Sequence, residues 1–438
     1  MSQRPIRVAL FPDSINEING VANTSRNWAA YVHRNQLPML LVSAAAKTEV
    51  RQEGTITRLD IERGPISFQV EKDMRFDLTL ATFRRHKMVV DALREFRPDI
   101  VHITGPSDIG MMGAITAHKA GIPVAASWQT NIHEYAARRA NLILPRVLRG
   151  KARAGLLKKI EEISFRLAML YYTVGRFHFA PNQELIDMLH GVSGRRCYLM
   201  ERGVDLDVFN PAHRTRGNDG QFVIGYVGRL STEKKIRSFA GLAKAAKDAG
   251  YSHVKFVFVG HGGDEDWLRR NLPEAEMTGV LRGEPLSRAY ANMDLFAFYS
   301  ETDTFGNVVL EALASGVPAV VTDKGGPKFI VDHERCGYVC SSEEEFNASA
   351  LRLAANSALQ RDMAVAARRR AERASWDTVF DAVYAAYRRE LFGVELAAGE
   401  PSEPDKACTD ENREAAKEPG RFQGMLASCA AESLPLQS

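Results

Sequence analysis

The sequence has few cysteines and no long apolar segment. Five cysteines occur among 438 residues, and no pair of them has the spacing of a zinc ribbon or a redox site, so free thiols in a reducing compartment are expected. No stretch approaches the roughly 18–20 consecutive apolar residues of a membrane-spanning helix. The first residues also lack the apolar core and the cleavage site of a signal peptide. These absences favour a cytoplasmic location.

Charge of one sign is not in large excess either. Lys and Arg number 57 against 54 Asp and Glu, which gives a formal net charge of +3. A nucleic-acid-binding protein usually carries a larger and more clustered basic surplus, so no nucleic-acid partner is expected. The apolar content of 45% is ordinary for a folded protein, and the chain is too long for one core. Two domains are therefore predicted.

Short β-rich runs alternate with helical patterns in two separate series. The runs lie at 6–11, 39–42, 100–103 and 123–127 in the first series, and at 222–227, 255–259, 295–299 and 318–322 in the second. Helices are predicted between them at 24–34, 88–96, 237–249, 286–291 and 308–315. Because this alternation is typical of parallel sheets with crossover helices, the predicted fold class is α/β. Two Rossmann-like doubly wound domains would face each other across a cleft.

The remaining segments follow from composition. The polar, glycine-containing stretch after residue 210 suggests a boundary between an N-terminal domain at 1–210 and a C-terminal domain at 211–375. An amphipathic helix at 376–394 comes next and could cross back to the first domain. Residues 395–438 are rich in Pro, Glu, Ser and Ala with almost no aromatic residues, which predicts a disordered tail.

The most informative motif lies at 301–321. It follows a predicted strand and opens a predicted helix, so backbone N–H groups at 305–307 can face phosphate or sugar oxygens. Asp303 and Glu311 flank this corner, and carboxylates accept paired hydrogen bonds from sugar diols. A purely structural alternative makes Asp303 a helix cap and Glu311 an exposed helical residue.

This motif resembles the signature of glycosyltransferase family 4, a group of retaining transferases with the GT-B fold. The family has two acids eight positions apart, with Phe-Gly after the first acid and an Ala-x-Gly-x-Pro run after the second. The sequence reproduces the pattern with Asp303, Phe305-Gly306, Glu311, Ala314-Ser315-Gly316 and Pro318. The first acid is commonly Glu in the family, so the side chain of Asp303 is one methylene shorter.

The resemblance extends over residues 5–392 and implies how a donor would bind. The donor sugar and phosphate would be held by the carboxylate of Asp303 and by the backbone amides of Phe305, Gly306 and Asn307. Glu311 would bind the ribose hydroxyls, and Leu281 would meet the base through its backbone. The resemblance further implies that the donor binds the C-terminal domain and the acceptor binds the N-terminal domain.

A second match places two cations after the first strand of the second series. Arg229 directly follows Gly228, and Lys234 comes five residues later. Departure of a nucleoside diphosphate develops negative charge on oxygen, which fixed cations stabilise where no metal is present. Two basic residues near a strand end are ordinary by themselves, but the resemblance implies that Arg229 and Lys234 bind the diphosphate.

The N-terminal half contributes three weaker candidates. Gly20 lies in a predicted loop after the first strand, and the family places such a glycine beside the diphosphate and acceptor, although Asn-Gly is also an ordinary turn. Gln129 stands where the family usually has histidine, and it can hydrogen-bond a sugar hydroxyl but cannot accept a proton. His133 could approach the site only if its segment is helical; otherwise it is structural or exposed.

These features predict a hexosyltransferase that uses a nucleotide-diphosphate sugar and needs no metal or other cofactor. The Thr-Asp-Thr-Phe-Gly-Asn motif is similar to that of mannosyltransferases and related lipid glycosyltransferases, so GDP-mannose is favoured over UDP-glucose, with a glycan or lipid acceptor. The alternatives are a nucleotide-sugar epimerase, a glycan phosphorylase and a non-catalytic nucleotide-sugar-binding protein. A dehydrogenase is not expected, because neither first strand is followed by Gly-x-Gly-x-x-Gly.

One further segment, at 144–159, interleaves basic and apolar residues. A basic amphipathic helix of this kind can lie on an anionic membrane surface, which would make the protein peripheral at the inner membrane face. The alternative is a solvated helix face packed on its own domain.

Overall fold

The computed structural model describes residues 4–16, 20–63, 67–71, 74–77, 83–129, 151–301, 303 and 305–394. In chain order, the strands before residue 200 are β1 (Val8–Phe11), β2 (Met39–Ala45), β3 (Glu49–Glu53), β4 (Ile56–Glu62), β5 (Ser67–Glu71), β6 (Met74–Asp77), β7 (Ile100–Ile103), β8 (Val124–Ser127), β9 (Phe177–Ala180) and β10 (Cys197–Leu199). Eight of them form one sheet in the order β10-β9-β8-β7-β1-β2-β4-β3, and β5 pairs with β6 separately.

The eight-stranded sheet is parallel except at its β3–β4 edge. Its order reverses at β1, which pairs with β2 on one side and β7 on the other. Ligands of such sheets bind beyond the carboxyl ends of the strands at this reversal. The helices that accompany the sheet are Gly20–Arg34, Phe83–Phe96, Asp108–Lys119, Lys151–Tyr172 and Gln183–Ser193.

The second sheet follows the same principle. Its strands are β11 (Phe222–Val227), β12 (Val254–Val259), β13 (Glu276–Gly279), β14 (Leu295–Phe298), β15 (Ala319–Thr322) and β16 (Gly337–Cys340). They are all parallel and lie in the order β13-β12-β11-β14-β15-β16. The accompanying helices are Phe239–Asp248, Glu265–Asn271, Gly283–Ala291, Asn307–Ala314, Glu343–Ala355 and Ser357–Glu372.

Both sheets are covered by helices on their two faces, which explains their nearly continuous apolar strands. In β1, Ala9 and Phe11 join one cluster of buried residues, whereas Val8 and Leu10 join another on the opposite face. The predicted class, α/β with two doubly wound sheets, is confirmed.

The last helix, Trp376–Phe392, does not pack on the sheet that precedes it. It starts beside an isolated parallel bridge between Val204 and Ser375 and joins the buried cluster of the first sheet. Phe380 stacks on Trp28 of the helix Gly20–Arg34, with ring centroids 5.2 Å apart. The chain therefore crosses between the two sheets twice.

Gly20 corrects one detail of the sequence interpretation. It was predicted to lie in a loop before a helix at 24–34, but it is the first residue of the helix Gly20–Arg34. The hydroxyls of Thr24 and Ser25 donate hydrogen bonds to the carbonyl oxygens of Gly20 and Val21, at 3.1 Å each. These hydroxyls are accommodated inside the second helical turn, although such residues often mark a helix start.

Candidate active site

The candidate site lies at the carboxyl edge of the second sheet, where loops that follow different strands meet. Two loops interlock through glycines. A Cβ on Gly260 would lie 1.9 Å from the carbonyl oxygen of Gly228, and one on Gly262 would lie 2.2 Å from that of Leu230. No larger residue fits, so the loop that carries Arg229 is held directly against the loop after β12.

Lys234 and Asp303 form an ion pair at this edge. The distance from Lys234 Nζ to Asp303 Oδ2 is 2.8 Å, and the side chains are 13% and 22% exposed. Lys234 ends a short 3-10 turn at Thr232–Lys234, and Lys235 then adopts a left-handed φ of 49°. The pair remains accessible from the cleft, so a bound anion could take the place of the carboxylate. The structure thus brings one predicted cation and one predicted acid into contact.

Asp303 is supported by the loop after β15. The backbone N–H of Gly326 donates to the carbonyl oxygen of Asp303 at 2.7 Å. Gly325 has a φ of 67°, and a Cβ on it would lie 2.9 Å from the same oxygen. Glycines are therefore required for this close approach, which fixes the backbone of Asp303.

Arg229 lies at the same edge but points outward. Its guanidinium Nη2 is 2.9 Å from Glu233 Oε1, and its side chain is 75% exposed. Its carbonyl oxygen accepts a hydrogen bond of 2.9 Å from the Tyr226 hydroxyl, which fixes the backbone and not the guanidinium. Exposed ion pairs are weak, so little free energy opposes a turn of this side chain toward a diphosphate.

The helix Asn307–Ala314 begins immediately after Gly306, whose φ is 94°. A Cβ on Gly306 would lie 2.9 Å from Pro327 Cγ. First-turn amides of a helix lack intrahelical acceptors and attract anions. Gly306 itself occupies the N-cap position, and no side chain among the described residues caps this end. Asp303 is thus free of the capping role that the structural alternative gave it.

Glu311 lies one turn into the same helix. Its Oε2 accepts a hydrogen bond of 2.8 Å from the hydroxyl of Tyr290, a fully buried residue. Burial raises the pKa of Glu311, and the hydrogen bond from Tyr290 only partly offsets that effect. The side chain is not exposed, which excludes the second part of the structural alternative.

Gly20 faces this corner from the first sheet's side of the cleft. A Cβ on Gly20 would lie 2.5 Å from Arg202 Nη1 and 3.6 Å from Asn307 Nδ2. Two helix N-termini, those of Gly20–Arg34 and Asn307–Ala314, therefore meet across the cleft. Their dipoles both favour negative charge at this point.

A small pocket lies beside this meeting point. It is lined by residues from both halves of the chain, among them Thr24, Ser127, Gln129, Glu201, Arg202 and Phe305. Gln129 is 9% exposed, and its Oε1 has no hydrogen-bond partner among the described residues. Phe305, which is 5% exposed, also lines the pocket. An unpaired buried acceptor in a pocket indicates a place for a ligand donor group.

The positions of the remaining predicted residues add little to the description of the site. Leu281 is half-buried after the end of β13 and packs against the core of the second sheet. His133 lies outside the described residues, as does the first part of the basic segment, 144–150. Within the described ranges, no group of three or more His, Cys, Asp or Glu side chains could hold a metal ion. None of the helices in those ranges combines the length and apolar character that crossing a bilayer requires.

Arg202 was not among the predicted site residues. Its Nη2 donates a hydrogen bond of 3.0 Å to the carbonyl oxygen of Gln129, and its other terminal nitrogen lies against Gly20. It follows β10, where the chain leaves the first sheet. In the sequence, Arg202 lies within the residues 5–392 that resemble the family, but the surrounding Arg202-Gly203-Val204-Asp205 carries no chemistry that distinguishes a site residue from a linker.

Comparisons with known proteins identify relatives of this chain. A family model described as "Glycosyl transferases group 1" matches residues 221–356. The chain is 30% identical to a GDP-mannose-dependent alpha-mannosyltransferase of Mycobacterium tuberculosis, over 76% of this chain and 83% of that protein. It is 32% identical to an enzyme of the same name from Mycolicibacterium smegmatis, over 69% of this chain and 76% of that protein.

A solved structure shows the same fold. Anabaena Alr3699/HepE in complex with UDP and glucose superimposes with a TM-score of 0.58 and 16% sequence identity, over 88% of this chain and 99% of that chain. With identities of 30% and 32% to the two mycobacterial enzymes over most of their lengths, the chain belongs to the group 1 glycosyltransferases, and it is a glycosyltransferase of the GT-B fold.

Proposed function

We propose that the protein transfers mannose from GDP-mannose to a glycan or lipid acceptor with retention of anomeric configuration. The observation that carries this proposal is the contact between Lys234 and Asp303, at 2.8 Å, in the corner that also opens the helix Asn307–Ala314. Lys234 provides a positive charge, Asp303 accepts hydrogen bonds from hydroxyls, and the start of the helix provides backbone N–H donors. These groups suit the charge of the diphosphate, the hydroxyls of the sugar and the oxygens of the phosphates.

Each part of the donor has a counterpart in this corner. Lys234 and Arg229 attract the negatively charged diphosphate, which also accepts hydrogen bonds from the first-turn amides after Gly306. The carboxylate of Asp303 accepts hydrogen bonds from the sugar hydroxyls. Glu311, already held by Tyr290, accepts hydrogen bonds from the ribose diol.

The chemical step exchanges one bond at the anomeric carbon for another. The bond to the diphosphate oxygen breaks through an oxocarbenium-like state, and the acceptor oxygen bonds on the same face. The proton of the acceptor hydroxyl passes to the departing phosphate oxygen. Asp303 accepts hydrogen bonds from the sugar hydroxyls and Glu311 is held by Tyr290, so we assign both to binding and neither to covalent attack.

The preference for GDP-mannose rests on the names of the two mycobacterial relatives. HepE was solved with UDP and glucose, but at 16% identity it supports the fold alone. A thermal-shift series with GDP-mannose, UDP-glucose and ADP-glucose tests the donor. Stabilisation by a UDP- or ADP-sugar without stabilisation by GDP-mannose would reject the mannose assignment.

Product analysis separates transfer from its alternatives. GDP release that requires an added acceptor identifies a transferase. Conversion of the donor sugar without an acceptor would identify an epimerase, and binding without either reaction would identify a sugar-nucleotide sensor. Nuclear magnetic resonance of the new anomeric proton then tests retention, because a retaining enzyme yields the α-linked product from an α-linked donor.

We further propose that the protein binds anionic membranes through the helix Lys151–Tyr172. Its apolar residues Ile163, Leu167 and Leu170 recur at helical spacing and are 49%, 62% and 66% exposed, beside the exposed cations Lys158 and Lys159. Exposed apolar residues next to basic ones favour an anionic lipid surface.

Cosedimentation with vesicles tests this surface. Vesicles of phosphatidylglycerol should retain the protein, and vesicles of phosphatidylcholine should retain less. The double substitution Leu167→Ser and Leu170→Ser should release it, whereas Val365→Ser should not, since Val365 is 56% exposed on another helix. Equal retention of all variants, or none by either lipid, would reject the proposal.

A further inference from the structure

A chain of buried hydrogen bonds connects the last helix to the pocket. The Tyr387 hydroxyl lies 2.7 Å from His102 Nδ1, and His102 Nε2 lies 3.0 Å from Ser127 Oγ. Gln129 Nε2 donates to the same Ser127 oxygen at 3.3 Å. Tyr387, His102 and Ser127 are each at most 1% exposed. Three separate elements, β7, β8 and the helix Trp376–Phe392, therefore meet in one polar line within an apolar core.

The ring of His102, which links Tyr387 to Ser127, is held in one orientation by its neighbours. His102 is packed between aromatic rings, with Trp28 edge-on at 4.7 Å and Phe179 at 5.5 Å. The imidazole cannot turn without displacing them. Burial also lowers its pKa to about 3, so the ring is neutral at physiological pH and has one donor and one acceptor nitrogen.

The direction of the hydrogen bonds is then coupled along the line. Gln129 donates to Ser127, so the Ser127 proton is available for His102 Nε2, and the Nδ1 proton faces Tyr387. An amide turned by 180° would require the opposite arrangement of protons at Ser127 and His102. A change at Tyr387 can thus alter which end of the Gln129 amide faces the pocket.

We propose that Tyr387, His102 and Ser127 are positioning residues that hold the Gln129 amide with its carbonyl oxygen toward a hydroxyl of the donor sugar. This inference rests on the proposed function and deepens it. Gln129 lines the pocket, and its buried Oε1, which has no hydrogen-bond partner among the described residues, is the atom that would accept this hydrogen bond. The helix Trp376–Phe392 follows the second sheet in sequence but packs on the first sheet, and from there it would influence sugar recognition through Gln129.

Calorimetric titration with GDP and with GDP-mannose tests the proposal, because only GDP-mannose carries the sugar. Gln129→Ala should weaken GDP-mannose binding about five- to tenfold, the effect of one lost neutral hydrogen bond. Ser127→Ala and Tyr387→Phe should weaken it about threefold or more. GDP affinity should stay within twofold of wild type in all three variants.

The helix supplies a matched control. Tyr384→Phe removes a buried hydroxyl one turn earlier that takes no part in this line of hydrogen bonds, so GDP-mannose affinity should not change. The double variant Gln129→Ala with Tyr387→Phe should bind no more weakly than Gln129→Ala alone, since Tyr387 acts through the amide. Circular dichroism confirms that each variant is folded.

Additive losses in the double variant, or wild-type affinity in Tyr387→Phe, would overturn the inference while leaving the proposed function intact. If wild type binds UDP-glucose instead, the same variants are titrated with UDP and UDP-glucose, and the same pattern is required. Wild-type protein that binds neither nucleotide sugar would overturn the proposed function, and the inference with it.

Discussion

The side chains of Lys234 and Arg229 make different contacts, although the sequence predicts the same role for both residues. Both follow β11, so their position at the carboxyl edge could be predicted from strand order. Their rotamers could not, because these depend on neighbours distant in sequence. Lys234 contacts Asp303, 69 positions away, whereas Arg229 pairs with Glu233, four positions away. We therefore expect Lys234, whose position is fixed, to contribute more to diphosphate binding than Arg229.

Lys234→Ala should lower kcat/KM for mannosyl transfer about 100-fold or more. The substitution removes the fixed charge that stabilises the leaving diphosphate, a loss of about 3 kcal/mol, and it leaves Asp303 without its partner. Steady-state assay of GDP release measures the effect.

Lys235→Ala is the matched control for Lys234→Ala. Lys235 is the next residue and pairs with Glu301 at 2.5 Å, but its side chain is 45% exposed. We expect less than a threefold change. Near-wild-type turnover in Lys234→Ala, or an equal loss in both variants, would contradict the role of Lys234.

Glu311→Gln should raise the Kd for GDP about tenfold, because hydrogen bonds from the ribose diol to a charged acceptor are stronger than those to an amide. The pKa of Glu311 is raised by burial, so on acidification this carboxylate is protonated at a higher pH than the carboxylate of an ordinary glutamate. Wild-type affinity for GDP should then fall as pH decreases toward that raised pKa. The affinity of Glu311→Gln should fall less steeply, and parallel curves from calorimetry at several pH values would contradict the assignment.

At the scale of elements, the central strands were predictable and the edges were not. The runs at 100–103 and 222–227 coincide with β7 and β11, because a strand buried on both faces is a short apolar run between turn residues. The edge strand β3 reads Glu-Val-Arg-Gln-Glu, which has no apolar run. Its pairing with β4 depends on a contact in space that composition does not reveal.

The glycine contact between two loops gives a sharp prediction for Gly260→Ala. A Cβ there would lie 1.9 Å from the carbonyl oxygen of Gly228, and the φ of 144° is also unfavourable for alanine. Strain of both kinds should lower the free energy of unfolding by about 2–4 kcal/mol. Urea denaturation followed by circular dichroism measures the loss.

Gly263→Ala provides the comparison for Gly260→Ala. It lies three residues later, and nothing stands within 4 Å of the added Cβ. We expect a change within about 0.5 kcal/mol, as for other unconstrained surface substitutions. Equal stability of the two variants would show that the loops do not interlock as described.

At the scale of the whole molecule, two histidines are buried among the residues that the structure describes, and their titration should affect the free energy of unfolding. Burial lowers the pKa of His102 to about 3 and that of His178 to about 4, from 6.5. As pH falls below 6.5, the unfolded chain binds protons that the native state does not bind. The free energy of unfolding should therefore decrease on acidification across this window, by about 2 kcal/mol per histidine at pH 5.

His178→Leu isolates one of these contributions. Leucine does not titrate, so the loss of stability between pH 7.5 and pH 5 should be about 2 kcal/mol smaller in the variant than in wild type. The difference between the two pH profiles, obtained by urea denaturation, removes the contributions of other groups. Profiles that run parallel would show that His178 titrates alike in both states.

The path of the chain also has a consequence during synthesis. Multidomain proteins generally fold from the N-terminus as the ribosome proceeds, but here the first sheet receives part of its cover from the helix Trp376–Phe392. Until that helix leaves the ribosomal tunnel, the face of the first sheet that it will cover stays open to water, and a nascent chain ending before Trp376 exposes an apolar surface to chaperones. Translation through residue 392 thus precedes completion of the domain that contains β1.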